Sequence, residues 1–300
     1  MIWRNEVDSY GFSNILAKIV KKKNLPYPLA NWQHDWHFWK EISKDNINYN
    51  NKVVPTILAN KKLKLKYKKL GFKYLYIGGL PFTYTRQIKK RIKSSVIFIP
   101  PKNHKTSFAL KKTENIINNN FDKYKNKTIL LNKNDQKFLK KLCSKKKIKI
   151  INSISKNNEN ALQVLRNLLD QYEYMITNTI GSHIIYALYC GCKVKVFEKN
   201  FYDYSDYDYS FQFDYHERRK KYDYRRKVHS LGYVKKHYNF LFKFNSIKNI
   251  NIKKWVEYET GAKFKLNKNE ILNLLSLNFF GKFKRVYYAL CSKFKSNKIW

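Results

Sequence analysis

The stretch MITNTIGSHIIYALYCGCKVKVFE, residues 175–198, decides the fold. An apolar run ends in small polar residues and a glycine, an apolar helical pattern follows, and a second apolar run comes after Gly191. This order predicts a strand, a turn, a helix and a second strand, which is the unit that builds parallel sheets. In a chain crowded with Lys, Asn and Tyr, the segment carries little charge.

The same alternation extends on both sides of this unit. VVPTILAN (53–60) is followed by a Lys-rich helical pattern ending at Gly71, and KYLYIGGLPFTY (73–84) predicts a strand that runs into a turn. Further strands are predicted by SSVIFIPPKNH (94–104), KTILLNKND (127–135) and IKIINSIS (148–155), and a helix by NALQVLRNLLDQY (160–172). We therefore predict an α/β fold with parallel sheets.

The alternation restarts near Val96, which predicts two lobes. We place the first lobe at residues 1–94, the second at 95–267, and a basic helical segment at 268–300. In that last segment an aromatic stripe flanked by Lys and Arg is typical of a helix lying on an anionic membrane surface; its residues are Phe283, Tyr287, Leu290 and Phe294. A helix that packs this stripe onto the lobes explains the pattern equally well.

The charge of the chain is strongly positive. Lys and Arg number 62 against 21 Asp and Glu, a formal charge of +41, which predicts attraction to polyanions such as nucleic acid, anionic lipid or phosphorylated substrates. Nucleotide bias in an AT-rich genome explains part of the Lys content, but Glu, whose codons are also A-rich, is scarce. With 43% hydrophobic residues the chain can bury a core, which excludes a disordered protein.

Cysteines and apolar runs place the chain among cytoplasmic proteins. The 4 cysteines include only a CxC pair, Cys190 and Cys192, which is not a zinc spacing and predicts free thiols in a reducing compartment. The first residues lack the pattern of a signal peptide, and no run of about 18 apolar residues predicts a transmembrane helix.

The turn at 177–183 is the first candidate site. A strand that ends at Ile176 places this turn at the carboxyl edge of a parallel sheet, where ligands bind. Ser182 then lies at the head of a helix, whose free N–H groups and positive dipole end favour a phosphate. Neutral donors and one potential cation surround it: Thr177, Asn178, Thr179, Ser182 and His183, with Gly181 leaving the backbone accessible. An ordinary turn capped by Ser182 is the alternative.

Two further segments carry candidate residues. In IPPKNH (99–104), Lys102 and His104 follow a strand directly and could hold a diphosphate at the same sheet edge. In ANWQHDWHFWK (30–40), Trp32 and Trp36 could stack on sugar rings, while His34 or Asp35 could act as a general base. A Trp-rich core loop is the alternative for the second segment. DYD (206–208) matches a metal-binding DxD pattern only within a Tyr/Asp-rich loop, so we predict no metal site.

Taken in order, these segments resemble a bacterial surface or capsular polysaccharide glycosyltransferase family of GT-B type. WQHDW (32–36) is similar to an early aromatic loop of that family, YIGGLPFTY (76–84) to its strand-turn, and IFIPPKNH (97–104) to the opening of its second lobe. TNTIGSHIIYALYCGCKV (177–194) is the most specific match, and ETGAKFKLNKNEILNLL (259–275) resembles a late segment. Asp35 stands where the family pattern has Gly.

This resemblance implies two Rossmann-like lobes that face a cleft. It implies a nucleotide-sugar donor on the second lobe, at the 177–183 turn and His104, and a glycan or lipid-linked acceptor on the first. It further implies transfer without a metal or other cofactor, with His34 or Asp35 taking the acceptor proton and Ser182 and His183 holding the departing phosphate. The expected location is cytoplasmic, peripheral on the inner face of the cell membrane.

Two other functions remain open at this point. A basic, aromatic-rich α/β protein could bind nucleic acid, although Lys is spread throughout and no specific nucleic-acid motif is present. A catalytically inactive GT-B-like scaffold is the other. Loss of activity on replacing Ser182 and His183 distinguishes an enzyme from a scaffold.

Overall fold

The structure, a computed structural model, describes residues 10–23, 25, 29–38, 54–101, 107–155, 158–203, 224, 226–278, 280, 281 and 283. In chain order its strands are β1 (Asn31–Trp32), β2 (Thr56–Leu58), β3 (Leu75–Ile77), β4 (Ile92–Phe98), β5 (Asn126–Leu131), β6 (Lys149–Asn152), β7 (Tyr172–Thr177) and β8 (Lys193–Val196). Its helices are α1 (Phe12–Val20), α2 (Lys61–Lys69), α3 (Ser107–Asn120), α4 (Lys133–Lys145), α5 (Ala161–Gln171), α6 (Ser182–Tyr189), α7 (Leu231–Tyr238), α8 (Ile250–Thr260) and α9 (Lys268–Leu274).

The strands form two parallel sheets. The first has 3 strands in the order β1-β2-β3, and the second has 5 in the order β6-β5-β4-β7-β8. The predicted α/β fold with parallel sheets is therefore confirmed, and the unit at 175–198 supplies β7, α6 and β8. β1 was not predicted from the sequence, because it is only 2 residues long.

The five-stranded sheet is covered on both faces because its strands alternate between two cores. Along β4, Val96 and Phe98 pack with α3 and α4, whereas Ile97 and Ile99 point to the opposite face, where α5 and α6 lie. β8 reads Lys-Val-Lys-Val, and its two valines are fully buried. An edge strand with one polar and one apolar face needs cover on only one side.

The three-stranded sheet shares its core with the larger one. On one face, Leu58 and Leu75 pack beneath Leu63 and Tyr67 of α2. The opposite face, through Ile57, belongs to the same buried cluster as the α5–α6 face of the five-stranded sheet. The smaller sheet therefore completes its core with residues from the other.

Helix α8 ends against the three-stranded sheet through a glycine. Gly261 has φ 64, and a Cβ there would lie 2.4 Å from the carbonyl oxygen of Ala59 and 2.7 Å from that of Gly78. The N–H of Leu80 also donates to the carbonyl of Thr260 at 2.8 Å. Only a residue without a side chain fits this contact, so the C-terminal part of the chain locks onto the first sheet.

The C-terminal segment is described only in part. α9 begins with a capping box made by Asn267 and Glu270. Of the predicted aromatic stripe, only Phe283 lies within the described residues. Across the described ranges, no helix combines the length and apolarity needed to cross a membrane.

Candidate functional site

The strand order reverses between β4 and β7. β5 and β6 lie to one side of β4, while β7 and β8 lie to the other, so the connections that leave β4 and β7 diverge. Open parallel sheets bind ligands at the carboxyl end of such a reversal. Here the two strand ends are tied together: the N–H of Ile99 donates to the carbonyl of Ile176 at 3.0 Å, and the Thr177 hydroxyl donates to the carbonyl of Ile99 at 2.6 Å.

The first half of the predicted turn is buried and is hydrogen-bonded to the protein around it. Thr177, Asn178 and Thr179 are 0%, 0% and 6% exposed. The Asn178 side-chain amide donates to the carbonyl of Asn200 at 3.1 Å, and the Asn178 carbonyl accepts from the N–H of Tyr202 at 2.6 Å. These side chains therefore hold the turn from within, whereas we expected them to be donors open to a ligand.

The second half of the turn is accessible. Gly181, Ser182 and His183 are each partly exposed. Ser182 is the first residue of α6 rather than its cap; the capping position is Gly181, and no side chain bonds to the first turn from there. A Cβ on Gly181 would approach the His183 ring to 3.1 Å, so the glycine makes room for the imidazole. The accessible start of α6 keeps its positive dipole end, which favours an anion.

The imidazole of His183 is oriented by Thr177. Its Nε2 lies 3.0 Å from the Thr177 hydroxyl oxygen. Because that hydroxyl donates to the carbonyl of Ile99, its oxygen accepts from the ring, which puts a proton on Nε2. Protonation of the other nitrogen would make the ring a cation at the start of α6. An anion bound there would favour that charged form.

The loop after β1 reaches across to α6. The N–H of Trp36 donates to the Ser182 hydroxyl oxygen at 3.0 Å, and that hydroxyl donates to the Asp35 carboxylate at 3.1 Å. One turn along the helix, the Tyr186 hydroxyl donates to the carbonyl of His34 at 2.7 Å. Residues separated by 147 positions in the chain thus meet, and the two most distinctive candidate segments form one site.

His34 and Asp35 form a hydrogen-bonded pair. The His34 Nε2 lies 2.9 Å from Asp35 Oδ2, with 20% and 48% of the two side chains exposed. Burial pushes the pKa of Asp35 up, but the bond from His34, the charges of His34 and His37, and the Ser182 hydroxyl outweigh it and hold that pKa below its ordinary value. Asp35 is therefore an ionised carboxylate that supports the imidazole, and a weak base itself.

Burial is the main cause that raises the pKa of Tyr186 well above its ordinary value, and the Asp35 charge adds to it. The phenol thus stays protonated and remains a donor to the loop. It fixes the backbone of His34 while Ser182 fixes that of Trp36. The loop is held on α6 at two points, so the carboxylate–imidazole pair has a defined position above the start of the helix.

The two tryptophans lie inside the core. Trp32 and Trp36 are 1% and 2% exposed. The Trp32 indole N–H donates to the carbonyl of Gly79 at 3.0 Å, and that of Trp36 donates to Glu259 at 3.1 Å. Neither presents a ring face on which a sugar could stack, so the Trp-rich core loop, which was our alternative, describes this structure. Their rings anchor the loop that carries His34 and Asp35.

Some predicted residues lie outside the described part of the chain. These are Lys102 and His104, together with the DYD pattern at 206–208. Among the described residues, no group of three or more His, Cys, Asp or Glu could hold a metal ion.

Three residues near the site were not identified from the sequence. Tyr186 had a usable signal, because it follows Ser182 by four positions and so shares its helix face. Glu259 opens the late segment of the resemblance, but nothing in the pattern paired it with Trp36. Tyr10, which stacks on His34 with ring centroids 6.2 Å apart, had no sequence signal.

Comparison with solved structures finds similar chains, among them the following two. One is the pneumococcal O-GlcNAc transferase GtfA in complex with UDP and GlcNAc, with 13% identity and a TM-score of 0.36, covering 92% of this chain and 54% of that one. The other is TarM, with 11% identity and a TM-score of 0.32, covering 88% of this chain and 50% of that one. The chain thus spans about half the length of each, and likeness at this level does not bear on function. No family model and no curated protein matches.

Proposed function

We propose that this protein is a glycosyltransferase that moves a sugar from a nucleotide-sugar donor to a glycan or lipid-linked acceptor of a surface polysaccharide. The observation that carries the proposal is the contact at Ser182. There the loop of the smaller sheet, with its His34–Asp35 pair, is bonded to the accessible start of α6. In the larger sheet, this helix start lies where the strand order reverses. A base and an anion site side by side are what group transfer from a phosphate to a hydroxyl requires. In the division that we predict, residues 1–94 bind the acceptor and residues 95–267 bind the donor.

In the proposed reaction His34 is the base. It takes the proton of the acceptor hydroxyl, whose oxygen forms a bond to the anomeric carbon of the donor sugar. The bond from that carbon to the phosphate oxygen breaks, and the electron pair leaves on the nucleoside diphosphate. Asp35, ionised and bonded to His34, stabilises the imidazolium that forms. His34 is thus the base and Asp35 its partner, whereas from the sequence either residue could be the base.

The departing diphosphate is held by the first turn of α6 and by His183. The Asp35 carboxylate is 3.1 Å from the Ser182 hydroxyl, so it repels a second anion close to that side chain. The phosphate therefore binds on the side of Gly181 and His183, where the backbone is accessible. Transfer that relies on these groups needs no metal ion to stabilise the leaving group.

Thermal-shift measurements against a panel of nucleotide sugars and nucleoside diphosphates test the proposal. A ligand at one hundred times its Kd adds about 2.7 kcal/mol to the free energy of unfolding, which such a screen detects. We expect one class of nucleoside diphosphate to stabilise the protein and its sugar conjugate to be turned over. Duplex or single-stranded DNA that stabilises the protein, with no response to any nucleotide sugar, would favour the nucleic-acid-binding alternative instead.

Two variants separate the roles at the junction. Asp35→Asn removes the negative charge beside the helix start, so we expect tighter binding of the nucleoside diphosphate and transfer slowed by about 100-fold or more. Ser182→Ala breaks both loop bonds and should weaken transfer and stability together, the latter by about 1–2 kcal/mol. Unchanged turnover in both variants would place the active site elsewhere, and no turnover even in the wild-type protein would leave an inactive scaffold.

A further inference from the structure

Tyr10 lies against the imidazole of His34. Their ring centroids are 6.2 Å apart, with an angle of 26° between the planes, so the two rings are stacked. The imidazole covered in this way is the one whose Nε2 contacts Asp35 at 2.9 Å. A ring placed over an imidazole restricts its rotation and favours its protonated form.

The backbone at Tyr10 adopts a conformation that bulky residues rarely take. Tyr10 has φ 63, and Gly11 after it has φ 72. Such a conformation persists only where the surroundings enforce it, and it is found preferentially at functional positions. Here it turns the chain sharply just before α1.

A contact with the five-stranded part of the molecule holds this turn in place. A Cβ on Gly11 would lie 1.9 Å from the carbonyl oxygen of Glu159, so the glycine backbone rests directly on the turn before α5. The side-chain amide of Asn14 donates to the same oxygen at 2.9 Å. The segment that precedes α5 therefore helps to set the position of Tyr10.

On its other side the His34–Asp35 pair is held by α6, through Ser182 and Tyr186. His37 adds a charge that acts on Asp35. Burial, and secondly the charge of Asp35, raise the pKa of Tyr10, so its phenol is neutral and within electrostatic reach of the carboxylate. The pair is thus in contact with both α6 and the ring of Tyr10.

We propose that Tyr10 is a positioning residue, whose ring holds the His34 imidazole in the plane in which Nε2 meets Asp35. The effect on the imidazole follows from the geometry alone. Its consequence for catalysis rests on the proposed function, in which His34 is the base.

Titration of the histidine side chains by NMR tests the proposal without any substrate. The chain has 7 histidines, and His34→Gln identifies the His34 signal. Tyr10→Phe keeps the ring and should keep both the midpoint and the tautomer of His34. Tyr10→Leu removes the ring and should lower the midpoint by about half a pH unit, the size of a partly exposed cation–ring contact. Tyr74→Leu is the matched control, since Tyr74 is 52% exposed and precedes β3.

If Tyr10→Leu folds poorly, Asn14→Ala loosens the same turn without changing the ring, and should shift His34 in the same direction by a smaller amount. In transfer assays, Tyr10→Leu should lower kcat by about tenfold with the donor KM unchanged, and Tyr10→Phe should restore it. A His34 titration that is the same in Tyr10→Leu and in the wild type would overturn the proposal. Equal losses in the Phe and Leu variants would overturn it too, since the hydroxyl would then be the active part. A shifted His34 in a protein that transfers no sugar supports the positioning role and rejects the proposed function.

Discussion

The two sheets contribute unequal parts to the candidate site. The five-stranded sheet has helices on both faces and supplies a helix start that is held by backbone hydrogen bonds and by the Thr177 hydroxyl. The three-stranded sheet has strands of 2 or 3 residues and supplies the titratable pair on a loop. Anion binding depends on fixed backbone groups, whereas a base needs a side chain that can exchange protons with its substrate. In the proposed reaction, the rigid part would therefore hold the donor and the smaller part would supply the base for the acceptor.

The larger sheet should also support the smaller one, and the strongest test is Asp170→Ala. Asp170 is 0% exposed, and its two carboxylate oxygens share the Nε–H of Arg166 at 2.9 and 2.8 Å, so its removal leaves a buried cation without its carboxylate partner. We expect the free energy of unfolding to fall by about 3–5 kcal/mol. Glu173→Ala, which removes the partly exposed pair with Lys193, is the control and should cost at most about 1 kcal/mol.

Urea unfolding measures both variants, followed by circular dichroism for the whole chain and by tryptophan fluorescence, to which Trp32 of the smaller sheet and Trp36 of the loop after β1 contribute. Because the two sheets share one core, the two signals should move together. Separate transitions, with the tryptophan signal unaffected by Asp170→Ala, would show that the smaller sheet is independent.

A substitution at Gly261, where α8 contacts the smaller sheet, should lower the free energy of unfolding by less. In Gly261→Ala the new methyl group would have to displace the Ala59 carbonyl, and the residue would be held at φ 64. We expect a loss of about 1–3 kcal/mol. Gly232→Ala is the matched control: it lies inside α7, a Cβ there meets nothing within 4 Å, and alanine should stabilise the helix by up to about 1 kcal/mol. Equal melting temperatures in the two variants would contradict the proposed contact.

The smallest effect concerns pH. The pKa of Asp35 is depressed in the folded chain, so its contribution to stability is complete above about pH 4 and is lost as the pH falls through the folded pKa. Since 48% of the side chain is exposed, the contribution should be below about 1 kcal/mol. Asp35→Asn should differ from wild type in the free energy of unfolding at pH 7 and match it near pH 2. A difference that grows on acidification would contradict the assigned direction.

Much of the fold was accessible from the sequence because local patterns set it. Alternating Lys and Val predicted β8, and the polar turn after an apolar run predicted the end of β7 and the start of α6. A strand as short as β1 carries too few residues for any periodicity, and its pairing with β2 comes from the shared core. The glycine at 261 likewise becomes necessary only when α8 meets the smaller sheet.

The candidate site, too, could be predicted from the sequence only in part. Ser182 and His183 were proposed from their position after a predicted strand, since polar groups there collect at one sheet edge. His34 and Asp35 were proposed from residue type alone, as alternative bases. Whether the tryptophans stack on a sugar or lie in the core was open, because an indole can do either until its neighbours are known. Burial of Trp32 and Trp36 decided it.

By itself, then, the sequence determined the order of strands and helices, the parallel sheets, and the position of a helix start at a strand end, because each depends on residues close together in the chain. Only the tertiary structure decided that Asp35 meets Ser182, that Tyr10 covers His34, and that Thr177 faces inward. Those contacts join residues far apart in sequence, and no local pattern specifies them.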